Sequence, residues 1–324
     1  MLHAAKVIAF CAALLLFPAL GCSRIERAYY LETGRYAQGI VVLSKEYAQD
    51  PWNPELNYYL GRFHLALGNG EKATGYLKRA TILAQEDAGY HYWLGVAYLT
   101  VGEAAAEERA LERSLALNPE HVPARLALAD NLLAQGKASK SLIHYDMALT
   151  VEPNNAEVLW GRARALDRLG RRSERMEVLH DYLSTSPDGP NAPQAVEYLN
   201  AAGDYSWRIH AIGRFRLALP AVDFAPGTDS ATVRGQEALA HVAKTLKADP
   251  ELRIHVVAFV AGDQELARKR AQAVAEALRE EDRRIDRSRL SLSWLGSPQQ
   301  LRLGDTTQEL KESIQFITDA RKGA

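Results

Sequence analysis

The sequence predicts two parts of different class: an α-helical repeat solenoid, followed by a small α/β sandwich of β-α-β-α-β order. Three observations carry this expectation. Glycines stand at Gly34, Gly68, Gly102, Gly136 and Gly170, thirty-four residues apart without drift. Prolines Pro51, Pro119, Pro153 and Pro187 follow four of them by seventeen, and Gln85 fills the missing slot. After Asp204 this period stops, and β-branched runs alternate with helical ones. A fixed period of this length marks stacked units that bury their apolar faces only against each other.

Each unit reads as helix–turn–helix. In the unit from Ala88 to His121, Tyr92, Leu94, Gly95 and Tyr98 mark the first helix and Gly102 the turn. Ala106, Ala110, Leu111 and Ser114 mark the second helix, and Asn118-Pro119 closes the unit. Proline lacks an N–H and disfavours helix at the preceding residue, so it belongs between helices. Gly61 and Gly95, with Ala129 and Ala163 in the same slot, are small where two helices must approach closely. The last unit differs: Arg162 takes the slot of Leu60, Leu94 and Leu128, which suits a polar terminal unit. Pro193 to Ala202 reads as one further helix covering the end.

This pattern of large apolar residue, Gly/Ala, aromatic, turn glycine, alanine and closing proline resembles the tetratricopeptide repeat (TPR) over about five units. The resemblance sets the expected organisation: repeats over 22–187, then a capping helix and linker over 188–205. It also implies a concave face, lined by the first helix of each unit, that holds a protein partner. The slots expected there are Tyr58, Arg62, Tyr92, Val96, Leu126, Asp130, Trp160, Arg164 and Arg168. Tyrosine, tryptophan and arginine dominate interface energetics; any single one of these rings can instead pack between helices. The Lys/Asn clamp of chaperone-binding TPR domains is absent from these slots.

The N-terminus reads as a leader. Lys6 precedes an apolar run from Val7 to Leu20, short for a membrane span, which ends in Ala19-Leu20-Gly21-Cys22. That ending resembles the lipobox of bacterial lipoproteins. The resemblance implies removal of residues 1–21, lipidation of Cys22 and, with Ser23 next, a periplasm-facing place in the outer membrane. The alternatives are an ordinary secretory signal or an uncleaved anchor. The chain has 2 cysteines, Cys11 and Cys22, so a lipidated mature form would have none left for a disulfide, thiol catalysis or a metal site.

Residues 22–205 carry 19 basic and 24 acidic groups, and residues 206–324 carry 19 and 16. Neither balance provides the concentrated basic face that nucleic acid needs. No His-Glu-x-x-His pair, Gly-x-Ser-x-Gly elbow, phosphate loop or dinucleotide fingerprint is present, so neither enzyme nor cofactor is expected.

Beyond Asp204 the expected elements are an apolar opening run Leu217–Phe224, a helix Thr232–Lys247, a strand Leu252–Val260, a helix Gln264–Leu278, a strand Leu290–Trp294 and a last strand Ser313–Thr318. Helices then pack on one face of a mixed sheet. This order resembles the OmpA-like domain, a peptidoglycan-binding module of envelope proteins, as do Asp249-Pro250-Glu251-Leu252 and Leu266-Ala267-Arg268-Lys269-Arg270-Ala271-Gln272-Ala273-Val274. The domain is expected over 206–324.

The family grips diaminopimelate with an arginine on the second helix and an aspartate ending the second strand. Guanidinium pairs with the carboxylate and the acid with the amino group. Arg270 takes the arginine position, whereas Ala261 replaces the aspartate. Lys311-Glu312-Ser313 replaces a later Asn-Arg-Arg. Either Asp263 moves into the missing acid's place beside Arg270, or the site is lost and Arg270 is solvated or paired with Asp263 or Glu265. The combined resemblance implies an envelope scaffold that contacts a protein partner, peptidoglycan and, through lipid, the membrane. The alternatives are an assembly factor or pilotin of a secretion or pilus complex, and, more distantly, a wall-remodelling enzyme or its regulator.

Overall fold

The computed structural model describes residues 27–213, 215–303 and 306–318. The expected leader over 1–21 and Cys22 lie outside these residues. The chain divides after Pro153 into two compact units.

Among its described residues the first unit holds a helical turn at 27–32 and then seven helices. They are α1 (Tyr36–Gln49), α2 (Pro54–Ala66), α3 (Gly70–Leu83), α4 (Ala88–Thr100), α5 (Ala104–Leu117), α6 (Val122–Ala134) and α7 (Ala138–Val151). Gly68 and Gly102, at φ near 75°, make the turns inside two pairs in the left-handed region that glycine reaches without a Cβ penalty. Where Gly61 of α2 meets α3, an added Cβ would stand 2.5 Å from Leu77 Cγ. At Gly95 of α4 it would stand 2.7 Å from Leu111 Cδ2 of α5. The close approach expected at both glycines is therefore real.

One regularity was not read from the sequence. The first helix of successive units starts with a side-chain cap at Asn53, Asp87, His121 and Asn155, again thirty-four residues apart. Asp87 Oδ1 accepts from Tyr90 N at 3.0 Å, and His121 Nδ1 accepts from Ala124 N at 3.0 Å. Each cap meets an amide that the helix itself leaves open.

The second unit begins with three helices, α8 (Ala156–Arg168), α9 (Arg172–Thr185) and α10 (Ala192–Ala201). A hairpin follows, β1 (Trp207–Ile212) with β2 (Phe215–Pro220), then α11 (Val233–Ala248), β3 (Ile254–Val260) and α12 (Gln264–Glu281). A 3-10 turn at Arg287–Arg289 leads into β4 (Leu290–Leu295), then β5 (Gln299–Leu303), β6 (Thr306–Leu310) and β7 (Glu312–Thr318). The main sheet has the order β4-β3-β7, parallel between β3 and β4 and antiparallel between β3 and β7. Helix α12 is the crossover that a parallel pair requires. It packs on β3 and β4, with α11 beside it. The core gathers Leu239 and Val242 of α11, Ala271 and Val274 of α12, Val256 and Ala258 of β3, and Phe316 of β7.

Buried Arg289 fixes the entry into β4. Its Nε donates to Leu252 O at 3.0 Å, and its Nη2 donates to Leu246 O at 2.7 Å and Asp249 O at 2.8 Å. These bonds hold the end of α11 to the start of β3. The hairpin is seated by a relay: Trp207 Nε1 donates to His180 Nδ1 at 2.9 Å, and His180 Nε2 meets Asp204 Oδ2 at 2.8 Å. An indole only donates, so Nδ1 accepts and Nε2 carries the proton toward Asp204.

The structure differs from expectation in two hairpins, β1–β2 and β5–β6, that the sequence reading omitted. The opening run also shortens. Strand β2 stops at Pro220, which has no N–H to continue a ladder, and Phe224 makes only an isolated bridge to Ala231. Helix α10 packs against α9, the terminal helix that it was expected to cover, and also meets β1 and β2.

Candidate functional site

The sequence placed its sharpest candidate on α12. Asp263 caps that helix, its Oδ1 accepting from Leu266 N at 2.8 Å, and the capped helix carries Arg270 inward about two turns later. The Arg270 side chain is 2 % exposed. Its Nε donates to Thr228 O at 2.8 Å, in the turn before α11. Its Nη1 donates to Glu312 Oε2 at 2.7 Å, at the start of β7. Its guanidinium carbon lies 4.7 Å from the ring centroid of Phe224, close enough for a cation–π contact. Nη2 is buried and has no hydrogen-bond partner. Glu312 is 54 % exposed, so the pair runs from the interior to the surface.

This geometry corrects two expectations. Asp263 does not swing toward Arg270; its carboxylate is committed to capping α12. Glu265 does not pair with Arg270 either, because Arg268 holds it at 2.9 Å. The acid that faces Arg270 is Glu312, which sequence reasoning passed over. Strand register explains how it arrives. Glu312 lies opposite Val260, and the next residue, Ala261, donates its N–H to Lys311 O at 2.8 Å. The carboxylate missing from the end of β3 is therefore supplied from the adjacent strand. The available signal was the charge at position 312, where the resemblance leads one to expect a basic residue.

The expected partner-binding slots fall in both units. In the first unit, Tyr58 and Arg62 of α2 form one end of an aromatic cluster. Arg62 Nη1 donates to Tyr58 Oη at 2.9 Å, and its guanidinium carbon lies 3.7 Å over the ring of Trp93. Tyr58 stacks on Tyr90 at 4.7 Å between centroids. Burial first, and the neighbouring Asp87 charge next, push the Tyr90 phenol up to about 12. Tyr90 and Trp93 were not singled out in the sequence, although the run from Tyr90 to Trp93 is the densest aromatic stretch of the repeats.

Farther along, Tyr92 contacts Trp93 and the His121 ring, at 5.1 and 5.0 Å between centroids. Val96 and Leu126 are half-buried, and Asp130 Oδ1 accepts from Tyr145 Oη at 2.7 Å. In the second unit Trp160 packs on Tyr182 at 5.6 Å, while Arg164 and Arg168 are exposed. Tyr58, Tyr92 and Trp160 thus all make inter-ring contacts within their own units, and Arg62 is held by the rings of Tyr58 and Trp93. Among the described residues no cluster of His, Cys, Asp and Glu is arranged to hold a metal ion. No described helix is long and apolar enough to cross a membrane.

Family comparisons agree with both parts. Residues 30–94 match the family model of the tetratricopeptide repeat, and residues 223–313 match that of the OmpA family. The chain carries TPR repeats and an OmpA-family domain. Among curated proteins it is 33 % identical over 111 residues to a tetratricopeptide repeat and J domain-containing co-chaperone, DNJ1, of Fusarium oxysporum, covering 32 % of this chain and 21 % of that protein. It is 27 % identical over 168 residues to tetratricopeptide repeat protein 6 of Homo sapiens, covering 48 % and 32 % respectively. The matched segments thus span a third or less of those relatives. Among solved structures, MamA is similar at 24 % identity with a TM-score of 0.46, covering 49 % of this chain and 87 % of that one. YrrB, a TPR protein with an unusual peptide-binding site, is similar at 16 % identity and 0.47, covering 52 % and 87 %.

Proposed function

We propose that this chain is an envelope scaffold. In this reading Cys22 is lipidated and tethers the chain at the outer membrane, facing the periplasm. The repeats hold a protein partner, and the OmpA-family domain contacts peptidoglycan non-covalently through Arg270 and Glu312. The observation that carries the glycan contact is the buried guanidinium that keeps Nη2 without a partner beside a half-exposed carboxylate. A zwitterionic amino-acid end, as in a wall peptide, would offer its carboxylate to Nη2 and its ammonium to Glu312. The lipid tether rests on Ala19-Leu20-Gly21-Cys22. The protein partner rests on the Arg62, Tyr58, Tyr90 and Trp93 cluster, whose residue types dominate interface energetics. Tethering raises the effective concentration of both contacts, so each can be weak.

Co-sedimentation with purified sacculi tests the glycan contact, using the chain with Cys22→Ser so that lipid plays no part. Wild-type sequence at the site should sediment, and Glu312→Gln and Arg270→Lys should both reduce the bound fraction severalfold. Equal sedimentation of all three, or none by the folded chain, would remove peptidoglycan from this reading. One observation favours a protein ligand for the same domain: Glu312 already satisfies Nη1 of Arg270 without any glycan. A folded chain that ignores sacculi would therefore be read as an assembly factor or pilotin. For the tether, Cys22→Ser in the full chain should shift the protein from the membrane to the soluble envelope fraction; an unchanged distribution would retire lipidation.

A further inference from the structure

The second unit contains a cavity of about 1060 Å³ framed by α10, β1, β5 and β7. Neither Arg270 nor Glu312 lines it, so it is separate from the site above. The hairpin that forms one wall also lies before residue 223, where the OmpA-family match begins.

Arg208 of β1 lines this cavity and is 9 % exposed. Its Nη1 donates to Gln299 Oε1 at 3.1 Å, and the same oxygen accepts from Ser313 Oγ at 2.7 Å. The glutamine therefore orients the guanidinium without neutralising it. Arg208 Nε is buried with no hydrogen-bond partner, and among the described residues no carboxylate forms an ion pair with it, the Asp223 charge acting on it only from beyond ion-pair distance. A buried cation left in this state is unfavourable unless something charged completes it.

The other groups fix the charge that is missing. His210, two residues on, also lines the cavity and packs edge-on against Phe316 at 5.5 Å. Burial first, and the Arg208 charge next, bring its pKa down to about 4, so it is neutral at pH 7. Glu197 and Arg302 are exposed at the rim and oppose each other in sign. One buried positive charge remains, and near it Leu301 and Phe316 give the cavity an apolar surface among polar lining residues such as Asn200 and Gln315.

We propose that this cavity binds a small organic monocarboxylate with an apolar body, its head on the Nε edge of Arg208 and its body against Leu301 and Phe316. The Nε edge of a guanidinium meets a carboxylate through two parallel hydrogen bonds. A phosphate dianion would bring two charges to a site that offers one. The volume is near the upper end of the roughly 300–1,000 Å³ common for small-ligand pockets. Asn200 Oδ1, also buried at the cavity and without a partner, would accept from a hydroxyl or N–H on the ligand body.

The test is calorimetric titration of the full chain with three probes that share one tail: octanoate, octan-1-ol and octyltrimethylammonium. Octanoate should bind about tenfold or more tightly than octanol, with no measurable binding of the cation. Arg208→Gln should abolish the preference for octanoate over octanol. Because Arg208 is buried and its replacement can disturb folding, a second variant is needed. Leu301→Trp enlarges a half-buried lining residue of β5, on the apolar surface assigned to the ligand body. With an unchanged circular dichroism spectrum it should weaken octanoate binding at least tenfold. Equal binding of octanoate and octanol, no binding of octanoate, or full octanoate binding by Leu301→Trp would each overturn the proposal.

Discussion

Lowering the pH should destabilise the second unit through one side chain, His210. This imidazole is held neutral by burial and by Arg208, with a hydrogen bond involving the Phe316 backbone acting in the opposite direction. Its pKa falls from 6.5 in the unfolded chain to about 4 in the folded one. Between these values the unfolded chain binds a proton that the folded chain refuses, so stability rises with pH across this window. The contribution is fully present above pH 6.5 and is lost as the pH falls toward 4. A shift of one unit corresponds to about 1.4 kcal/mol, so the whole window is worth roughly 3 kcal/mol, of which about 2 kcal/mol is already lost at pH 5. The assay is pulse proteolysis in urea at pH 7.5, 6.0 and 5.0, with fragments of the second unit identified by mass. Wild type is compared with His210→Phe, which fills the site without titrating. The wild-type midpoint should fall more steeply on acidification than that of the variant. Parallel pH profiles, or a His210 resonance titrating near 6.5 in the folded protein, would refute the reasoning.

Other expectations concern the repeats and are checked by urea denaturation at neutral pH. Gly75→Ala should stabilise by about 0.5–1 kcal/mol, because the residue is exposed inside α3 and an added Cβ meets nothing within 4 Å. Gly61→Ala, the same change one helix earlier, should destabilise by about 1–2 kcal/mol, since its Cβ would stand 2.5 Å from Leu77 Cγ and the clash outweighs the propensity gain. His121→Ala should cost about 1 kcal/mol by uncapping α6, whereas His121→Asn should cost almost nothing. Burial lowers the His121 pKa, so the unfolded chain takes up the proton first, and wild type should lose stability relative to His121→Asn as the pH falls below 6.5.

Much of the first unit was legible because its constraints are local and repeated. A turn that requires φ near 75° admits glycine at every thirty-fourth residue, and that mark survives the variation of neighbouring side chains. The cap positions share the same spacing but escaped notice, because His121 caps through a neutral ring nitrogen and histidine is not among the usual capping residues. The β1–β2 hairpin failed for a different reason. In Trp207–Ile212 the residues Trp207, Ile209 and Ala211 form an apolar alternation, yet the face that the structure buries in full carries Arg208, His210 and Ile212. A period-two reading therefore favours the opposite face of the strand. The Arg270–Glu312 pair failed because its members are 42 residues apart and meet only through strand register.

The polar residues that defeated the pattern in the second unit differ in how completely the fold satisfies them. Arg208, Arg270 and Arg289 are all buried. Arg289 gives its bonds to three backbone carbonyls and has no buried nitrogen without a partner. Arg270 has a carboxylate, a carbonyl and a ring, with one donor left over. Arg208 has a single amide oxygen and no acid within ion-pair distance, only the more distant charge of Asp223. A buried charge that only stabilises a fold should be fully met, and replacing one that is poorly met by an apolar side chain is often neutral or stabilising. Stability alone then ranks the three. Arg289→Met should cost the most, because three carbonyls lose their donors; Arg270→Met less, with Glu312 able to turn to water; and Arg208→Met least, with a rise in urea midpoint allowed. Binding should rank in reverse, since a residue that the fold could do without for stability is retained for what it holds. If Arg208→Met instead proved the most destabilising of the three, the guanidinium would belong to the core and not to a site.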